Sequence, residues 1–282
     1  MKLLDGLDVL NVWRGSVSGD IGFVPTMGAL HQGHMDLIGR SIRDNQQTIV
    51  SIFVNPMQFG PGEDLAKYPR PVEKDEDICR SLGVTALYRP SVHALYPLGF
   101  STKVEVGGVQ DAWCGARRPG HFAGVATVVL KLLNQISPRK LYLGQKDAQQ
   151  VAVLKRMIRD LDLRTIVVVC PTIREADGLA MSSRNCFLGE LEREFAPALY
   201  HTLRICVGAI DGGEQEVLVI NEMFRNLLTR SGPWRLDYFG VADPETMQLV
   251  QRINRPVCLL SAAFLGATRL IDNVMAHVSK VD

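Results

Sequence analysis

Two histidines three residues apart, His31 and His34, stand in the run Phe23-Val24-Pro25-Thr26-Met27-Gly28-Ala29-Leu30-His31-Gln32-Gly33-His34. On a first helical turn, imidazoles at that spacing point the same way. The surrounding pattern is apolar up to Val24, glycine-rich after it, and helix-like from about Met35. A strand, a tight turn and a helix N-terminus in that order present backbone N–H groups and a positive dipole to a phosphate. Gly33 would let a ligand approach the backbone closely. Imidazoles placed there can hydrogen-bond a phosphate whose charge grows in a transition state. An isolated H-x-x-H pair is equally a helix cap or a solvent-facing pair. The glycine-rich context favours phosphate, and the glutamate of the zinc signature H-E-x-x-H is absent. The run points to handling of a nucleoside triphosphate.

Three further stretches carry chemistry. Asn55 and Gln58, in Asn55-Pro56-Met57-Gln58, follow an apolar run and a proline turn. Neutral amides there can bind hydroxyls and a carboxylate without blunting the carboxylate as a nucleophile. Gly144-Gln145-Lys146-Asp147 places a lysine beside a helix start, with Asp147 as a good N-cap and Gln150 one turn on, on the same face. Met181-Ser182-Ser183-Arg184 offers two hydroxyls and a guanidinium, groups that suit polyphosphate oxygens. Read alone, these are a polar loop, a capped surface helix and an inter-domain linker. The basic turn Arg117-Arg118-Pro119-Gly120-His121 is a phosphate-facing patch, a helix start, or both, and Tyr68 and Arg70 could line a binding loop. His93, His201, His277 and the tryptophans Trp13, Trp113 and Trp234 read as structural.

The elements that must position these residues alternate. Strand patterns at 21–25, 48–54, 84–88, 140–143 and 165–170, with a further candidate at 103–106, are interleaved with helical patterns at 35–47, 72–82, 122–136 and 148–161. That order predicts an α/β fold, a Rossmann-like doubly wound parallel sheet, with ligands beyond the C-terminal strand ends. After Pro171 comes a polar stretch, then helices at 191–207 and 217–229 and strands at 234–242 and 257–265. We expect a nucleotide- and substrate-binding domain over 1–175 and a smaller α+β lid domain over 176–282.

Composition narrows the class. The 282 residues are 46% hydrophobic and 22% charged, and 31 basic against 30 acidic side chains leave a formal charge of +1. No bulk field draws the chain to nucleic acid or membrane, so any cationic site is local. No apolar run approaches the ~20 residues that span a bilayer. The six cysteines form neither a C-x-x-C pair nor a zinc spacing, as expected in a reducing cytoplasm. The start, Met1-Lys2-Leu3-Leu4-Asp5, lacks the apolar core of a signal peptide.

The runs PTMGALHQGH (25–34), FVNPMQFG (53–60), RRPGHFAGVATVV (117–129), YLGQKDAQQ (142–150), READGLAMSSRN (174–185) and ATRLIDN (267–273) resemble the pantoate–β-alanine ligases. These are nucleotidylyl-transferase-type enzymes related to class I aminoacyl-tRNA synthetases. The resemblance runs from about residue 20 onward. It implies ATP-dependent joining of pantoate to β-alanine through pantoyl adenylate, with release of AMP and pyrophosphate, a step towards coenzyme A. It also implies Mg²⁺ and a cytoplasmic homodimer.

ATP contacts are implied from Met27, Gly28, Ala29, Leu30, His31, Gln32, Gly33 and His34, from Gly144, Gln145, Lys146 and Asp147, and from Ile173, Met181, Ser182, Ser183 and Arg184. His34 corresponds to the catalytic histidine, with His31, Lys146 and Arg184 assisting. Gln58 matches the glutamine shared by pantoate and β-alanine, and Gln150 a second pantoate glutamine. Asn55, Tyr68 and His121 are further substrate-side candidates. Gln145 stands where the family is expected to have glutamate, and metal ligands are not identifiable. Three other classes compete. Adenylyl transfer to a nucleotide acceptor calls for more cations than Asn55, Gln58 and Gln150 supply. A regulatory nucleotide binder would not need the full set His31, His34, Lys146 and Arg184. A tRNA-dependent ligase would carry a basic appendage.

Overall fold

The computed structural model describes residues 1–277, so the last five residues of the expected second domain lie outside the described part. In chain order the elements are β1 (Lys2–Leu4), α1 (Leu7–Ser16), β2 (Ile21–Thr26), α2 (Gln32–Asp44), β3 (Gln47–Ile52), α3 (Val72–Ser81), β4 (Ala86–Tyr88), α4 (Val92–Leu95), α5 (Trp113–Arg117), α6 (His121–Ile136), β5 (Lys140–Gly144), α7 (Ala148–Asp160), β6 (Ile166–Cys170), α8 (Glu190–Phe195), α9 (Ala198–Asp211), α10 (Val217–Arg230), β7 (Trp234–Ala242), β8 (Val257–Leu265) and β9 (Thr268–Ala276).

The first six strands form one parallel sheet in the order β1-β4-β3-β2-β5-β6. Its strands are apolar on both faces, as burial under two helical layers requires. Phe23 and Ile49 point to the layer holding α1, α6 and α7, while Val24 and Val50 point to the layer of α2 and α3. Order reverses between β2 and β5, so the chain leaves neighbouring strands in opposite directions and a crevice opens at their carboxyl ends. His31 and His34 follow β2, and Lys146 follows β5.

Strands β7, β8 and β9 form an antiparallel sheet, with α9 and α10 packed on it through Leu203, Phe224 and Leu259. Its other side joins the first core: Ala242, Met247, Cys258 and Leu260 pack in one cluster with α6 and α7.

Local chemistry explains the departures from the sequence expectations. Residues 103–106 make no strand; the Val104 N–H goes to the Thr127 hydroxyl (2.9 Å) and the Val106 N–H to the Gln110 amide (3.1 Å). The helix expected over 191–207 breaks into α8 and α9 at Ala196-Pro197, because proline cannot donate into a helix interior. Helix α2 starts at Gln32, earlier than expected, because His31 caps it by accepting the Gly33 N–H. Asp147 makes no side-chain cap to α7 and lines the crevice instead.

Candidate active site

The crevice at the β2/β5 reversal is a cavity of about 840 Å³, towards the upper end of the ~300–1,000 Å³ of small-molecule sites. It gathers residues from every stretch singled out above. Met27, His31, Gly33, His34, Asn55, Gln58, Tyr68, His121, Gly144, Lys146, Asp147, Gln150, Ile173, Met181, Ser182, Ser183 and Arg184 all line it. Gly28, Ala29, Leu30, Gln32 and Gln145 do not.

The turn after β2 shows why. Gly28 (φ 84°) and Ala29 (φ 51°) are both left-handed. Successive N–H groups in such a turn converge on an anion. Here the anion belongs to the protein: the Ala29 and Leu30 N–H groups each donate at 2.8 Å to the carboxylate of Asp75 on α3. Asp75 is buried, which pushes its pKa up, and those two N–H bonds oppose the shift. The Gly28 N–H goes to the Thr26 hydroxyl (3.2 Å), and the Gln32 side chain to Asp36 (2.7 Å). The expectation that this turn offers a row of backbone donors to phosphate is therefore corrected: most of its N–H groups are already taken.

What the turn does offer is two oriented imidazoles. The Gly33 N–H donates to His31 Nδ1 (3.1 Å), and the His31 N–H donates to His34 Nδ1 (3.4 Å). A nitrogen that accepts carries no proton, so both neutral rings hold theirs on Nε2. The ring centroids are 4.1 Å apart. A Cβ on Gly33 would lie 2.9 Å from the His31 ring, so this glycine makes room for the imidazole. Burial, then the charge of Lys146, lowers the pKa of His31 to about 4. Burial, then His31 and Lys146, lowers that of His34 to about 3. Near neutral pH each ring is an uncharged Nε2–H donor.

Lys146 is aimed by the second sheet. Asn273 on β9 donates from its amide to the carbonyls of Gln145 and Lys146 (both 2.9 Å) and accepts from the Gln145 side chain (3.0 Å). The neighbouring Asp272 is buried and takes a two-pronged bond from Arg174 (2.6 and 2.9 Å). Neither Asn273 nor Asp272 was singled out as a site residue, although both lie in the ATRLIDN run.

The far wall is a loop latched across the opening. Arg184 makes a two-pronged pair with Asp64 (2.8 and 3.0 Å), and the Tyr68 hydroxyl meets that of Ser183 (3.2 Å). Burial raises the Asp64 pKa, but the Arg184 hydrogen bonds and charge outweigh it and leave the carboxyl below its ordinary value. The Arg184 guanidinium is thus paired within the protein. Sequence offered no signal for its partner, 120 residues away.

Beside Gln58, His121 has both nitrogens engaged. Arg118, which can only donate, reaches Nε2 at 3.0 Å, so Nδ1 carries the proton and donates to the Gln58 carbonyl (2.8 Å). Burial and Arg118 lower its pKa to about 4. Arg118 is held by Glu63 (2.6 and 2.7 Å). His121 and Asn55, which is 1% exposed, are thus engaged by protein groups and set the position of Gln58. Helix α6 carries Gly124 where it crosses this turn, because a Cβ there would lie 2.4 Å from the Met57 carbonyl oxygen.

A doubly wound sheet with paired imidazoles and a lysine at its reversal point defines a mononucleotide-binding α/β enzyme. The sequence profile described as pantoate-beta-alanine ligase matches residues 5–275. Pantothenate synthetases from Caldicellulosiruptor saccharolyticus and Thermotoga neapolitana are 46% and 48% identical over 258 and 255 residues. Those alignments cover 92% and 90% of this chain and 92% and 91% of the relatives. The pantothenate synthetase structure from Thermus thermophilus superposes with a TM-score of 0.93 at 41% identity, covering 97% of this chain and 99% of that one. The pantoate-beta-alanine ligase of Francisella tularensis, solved with a β,γ-ATP compound and β-alanine, superposes at 0.82 with 37% identity, covering 98% and 97%. The chain belongs to the pantoate–β-alanine ligase family.

Proposed function

We propose that this chain makes pantothenate from ATP, pantoate and β-alanine in two displacements within the one crevice. The pantoate carboxylate oxygen attacks the α-phosphorus of ATP, and the bond to the departing pyrophosphate breaks. The neutral amine of β-alanine then attacks the acyl carbon of the bound pantoyl adenylate, AMP leaves with the electron pair of the acyl–oxygen bond, and the new amide nitrogen gives up one proton to solvent. The observation that carries this reading is the convergence of two Nε2–H imidazoles, Lys146 and the Ser182/Ser183 hydroxyls on a cavity that also holds Gln58 and Gln150.

His34 and His31 donate to α-phosphate oxygens as charge builds on them, and Lys146 carries the matching positive charge. Ser182, Ser183 and Arg184 take the outer phosphates, Arg184 after leaving Asp64. Met27, Gly144, Asp147, Ile173 and Met181 border the nucleotide, with Gly28 to Leu30, Gln32 and Gln145 behind them. Gln58 and Gln150 bind the acid, and Tyr68 closes the loop. Magnesium would be held by the triphosphate oxygens and cavity carboxylates; among the described residues no cluster of three or more His, Cys, Asp and Glu is present. It would neutralise phosphate charge, with Asp147 among the carboxylates that line the cavity.

The division into 1–175 and 176–282 is proposed on the same footing, the second unit contributing Met181–Arg184 and Asn273. So are a homodimer and a cytoplasmic setting; among the described residues no helix is long and apolar enough to cross a membrane. The test is pyrophosphate release with ATP and pantoate, followed by AMP release that requires β-alanine. Silence with pantoate and turnover with a mononucleotide acceptor would replace this reading by adenylyl transfer to a nucleotide.

A further inference from the structure

We propose that Asn55, held by Tyr96, is a positioning residue that fixes the polarity of the Gln58 amide, so that Gln58 turns its NH₂ group, as a donor, to the substrate acid. The inference rests on the assignment of Gln58 to the acid side of the site.

The argument is one of donors and acceptors. The Met57 N–H lies 3.2 Å from one side-chain atom of Asn55, and a backbone N–H cannot accept, so that atom is Oδ1. The other atom faces the Gly124 carbonyl at 3.1 Å, which cannot donate, so it is Nδ2. Both assignments are forced by main-chain groups, and Asn55 is buried. The Tyr96 hydroxyl adds a second donor to Oδ1 at 2.8 Å. Burial pushes the Tyr96 pKa up, so the hydroxyl keeps its proton.

The second hydrogen of Asn55 Nδ2 points to the Gln58 amide at 3.0 Å. The atom it meets must be oxygen, which turns the Gln58 NH₂ group towards Met27, whose sulfur lies 3.3 Å away. A thioether is a weak acceptor, and a carboxylate or hydroxyl oxygen of the substrate would be a far better one. The consequence is that the substrate atom facing the Gln58 NH₂ group is an acceptor.

The test uses the full chain and three measurements. First, Gln58→Glu is compared with Gln58→Ala for kcat/KM with pantoate. A donating role makes the near-isosteric glutamate the worse variant, because a bare oxygen then faces the acid. Glutamate equal to or better than alanine overturns the polarity. Second, Tyr96→Phe is measured alone and in the Gln58→Ala background. We expect kcat/KM for pantoate to fall about 5-fold alone, the scale of one neutral hydrogen bond, and to stay nearly constant when Gln58 is absent, with ATP affinity unchanged. An additive effect, or one shared equally by ATP, overturns the role of Tyr96, since general destabilisation would produce that. Third, should Tyr96→Phe not fold, the wild-type Gln58 side-chain NH₂ resonances, assigned by their loss in Gln58→Glu, must shift when pantoate is added; unmoved resonances sink the proposal. A wild-type protein that releases no pyrophosphate with pantoate would remove the functional reading itself. An active wild type with additive variants removes only this inference.

Discussion

Gly124→Ala sets two effects of opposite sign against each other. In a helix interior, alanine is favoured over glycine by roughly 0.5–1 kcal/mol. At this position the added Cβ would meet the Met57 oxygen at 2.4 Å, the Met57 carbonyl carbon at 2.5 Å and the Gln58 nitrogen at 2.7 Å. All three are backbone atoms, so no side chain can swing aside. Ordinary contact starts at 3.4 Å, so helix and turn must separate by about 1 Å. The turn resists, being tied to α6 through Asn55 to the Gly124 carbonyl and through His121 to the Gln58 carbonyl. Overpacking of this kind costs about 1–3 kcal/mol, so the clash outweighs the propensity gain and the melting temperature falls. The larger effect is on catalysis, because a ~1 Å misplacement of a positioning group costs on the order of 100-fold. The assay is pyrophosphate release well below the melting temperature, giving kcat/KM for pantoate, beside a direct measurement of ATP binding. We expect the first to drop about 100-fold and the second to stay within about 2-fold. A variant at least as stable as wild type and within about 3-fold of its activity would refute the reasoning, since the turn would then have yielded without displacing Gln58.

Three other expectations can be checked directly. In the ligand-free protein, NMR titration should show His31, His34 and His121 still uncharged at pH 6, since their pKa values are lowered to about 4, 3 and 4; inflections near 6.5 would contradict the burial argument. The unfolded chain binds protons at these sites below about pH 6.5, while the native protein waits until about pH 4. Their contribution to stability is therefore complete above that upper value and lost as pH falls through the window, which acid-dependent denaturant melts would reveal. His34→Ala and Lys146→Ala should keep the wild-type fold by circular dichroism yet lose about 10²–10³-fold in adenylation; near wild-type turnover in both would dissolve the phosphate assignment. Asp64→Asn should lower the KM for ATP by up to about 5-fold, because it frees Arg184 from a partly exposed pair of about 1 kcal/mol or less, and a raised KM would show that Asp64 assists the nucleotide.

The main strand and helix periods along residues 21–170 were legible because the central parallel strands are apolar on both faces and the longer helices are apolar where they pack; the short α4 and α5 carried no such period. The first twenty residues were not, since β1 is three residues long and α1 exposes Val9 and Val12. The break at Pro197 was written in the chain and was missed because the apolar pattern continues across it. Strand β9 was recognised only as the motif ATRLIDN, so its service to Lys146 through Asn273 went unread.

By itself, then, the sequence determined which chemistry is present: two imidazoles at helical spacing, a lysine after one strand, a serine–arginine loop and two amide-bearing turns. Short-range spacing carries that information because neighbours along a helix or turn are neighbours in space. Only the tertiary structure decided how those groups are used. Asp75 fills the backbone nest from 46 positions away, Asp64 occupies Arg184, and Asn273 aims Lys146. His121 and Asn55 are hydrogen-bonded to Gln58. These partners lie tens to more than a hundred residues apart, and a hydrogen bond depends on position and direction to within tenths of an ångström. No local pattern of residues encodes that, because it is fixed only when the sheets and helices pack.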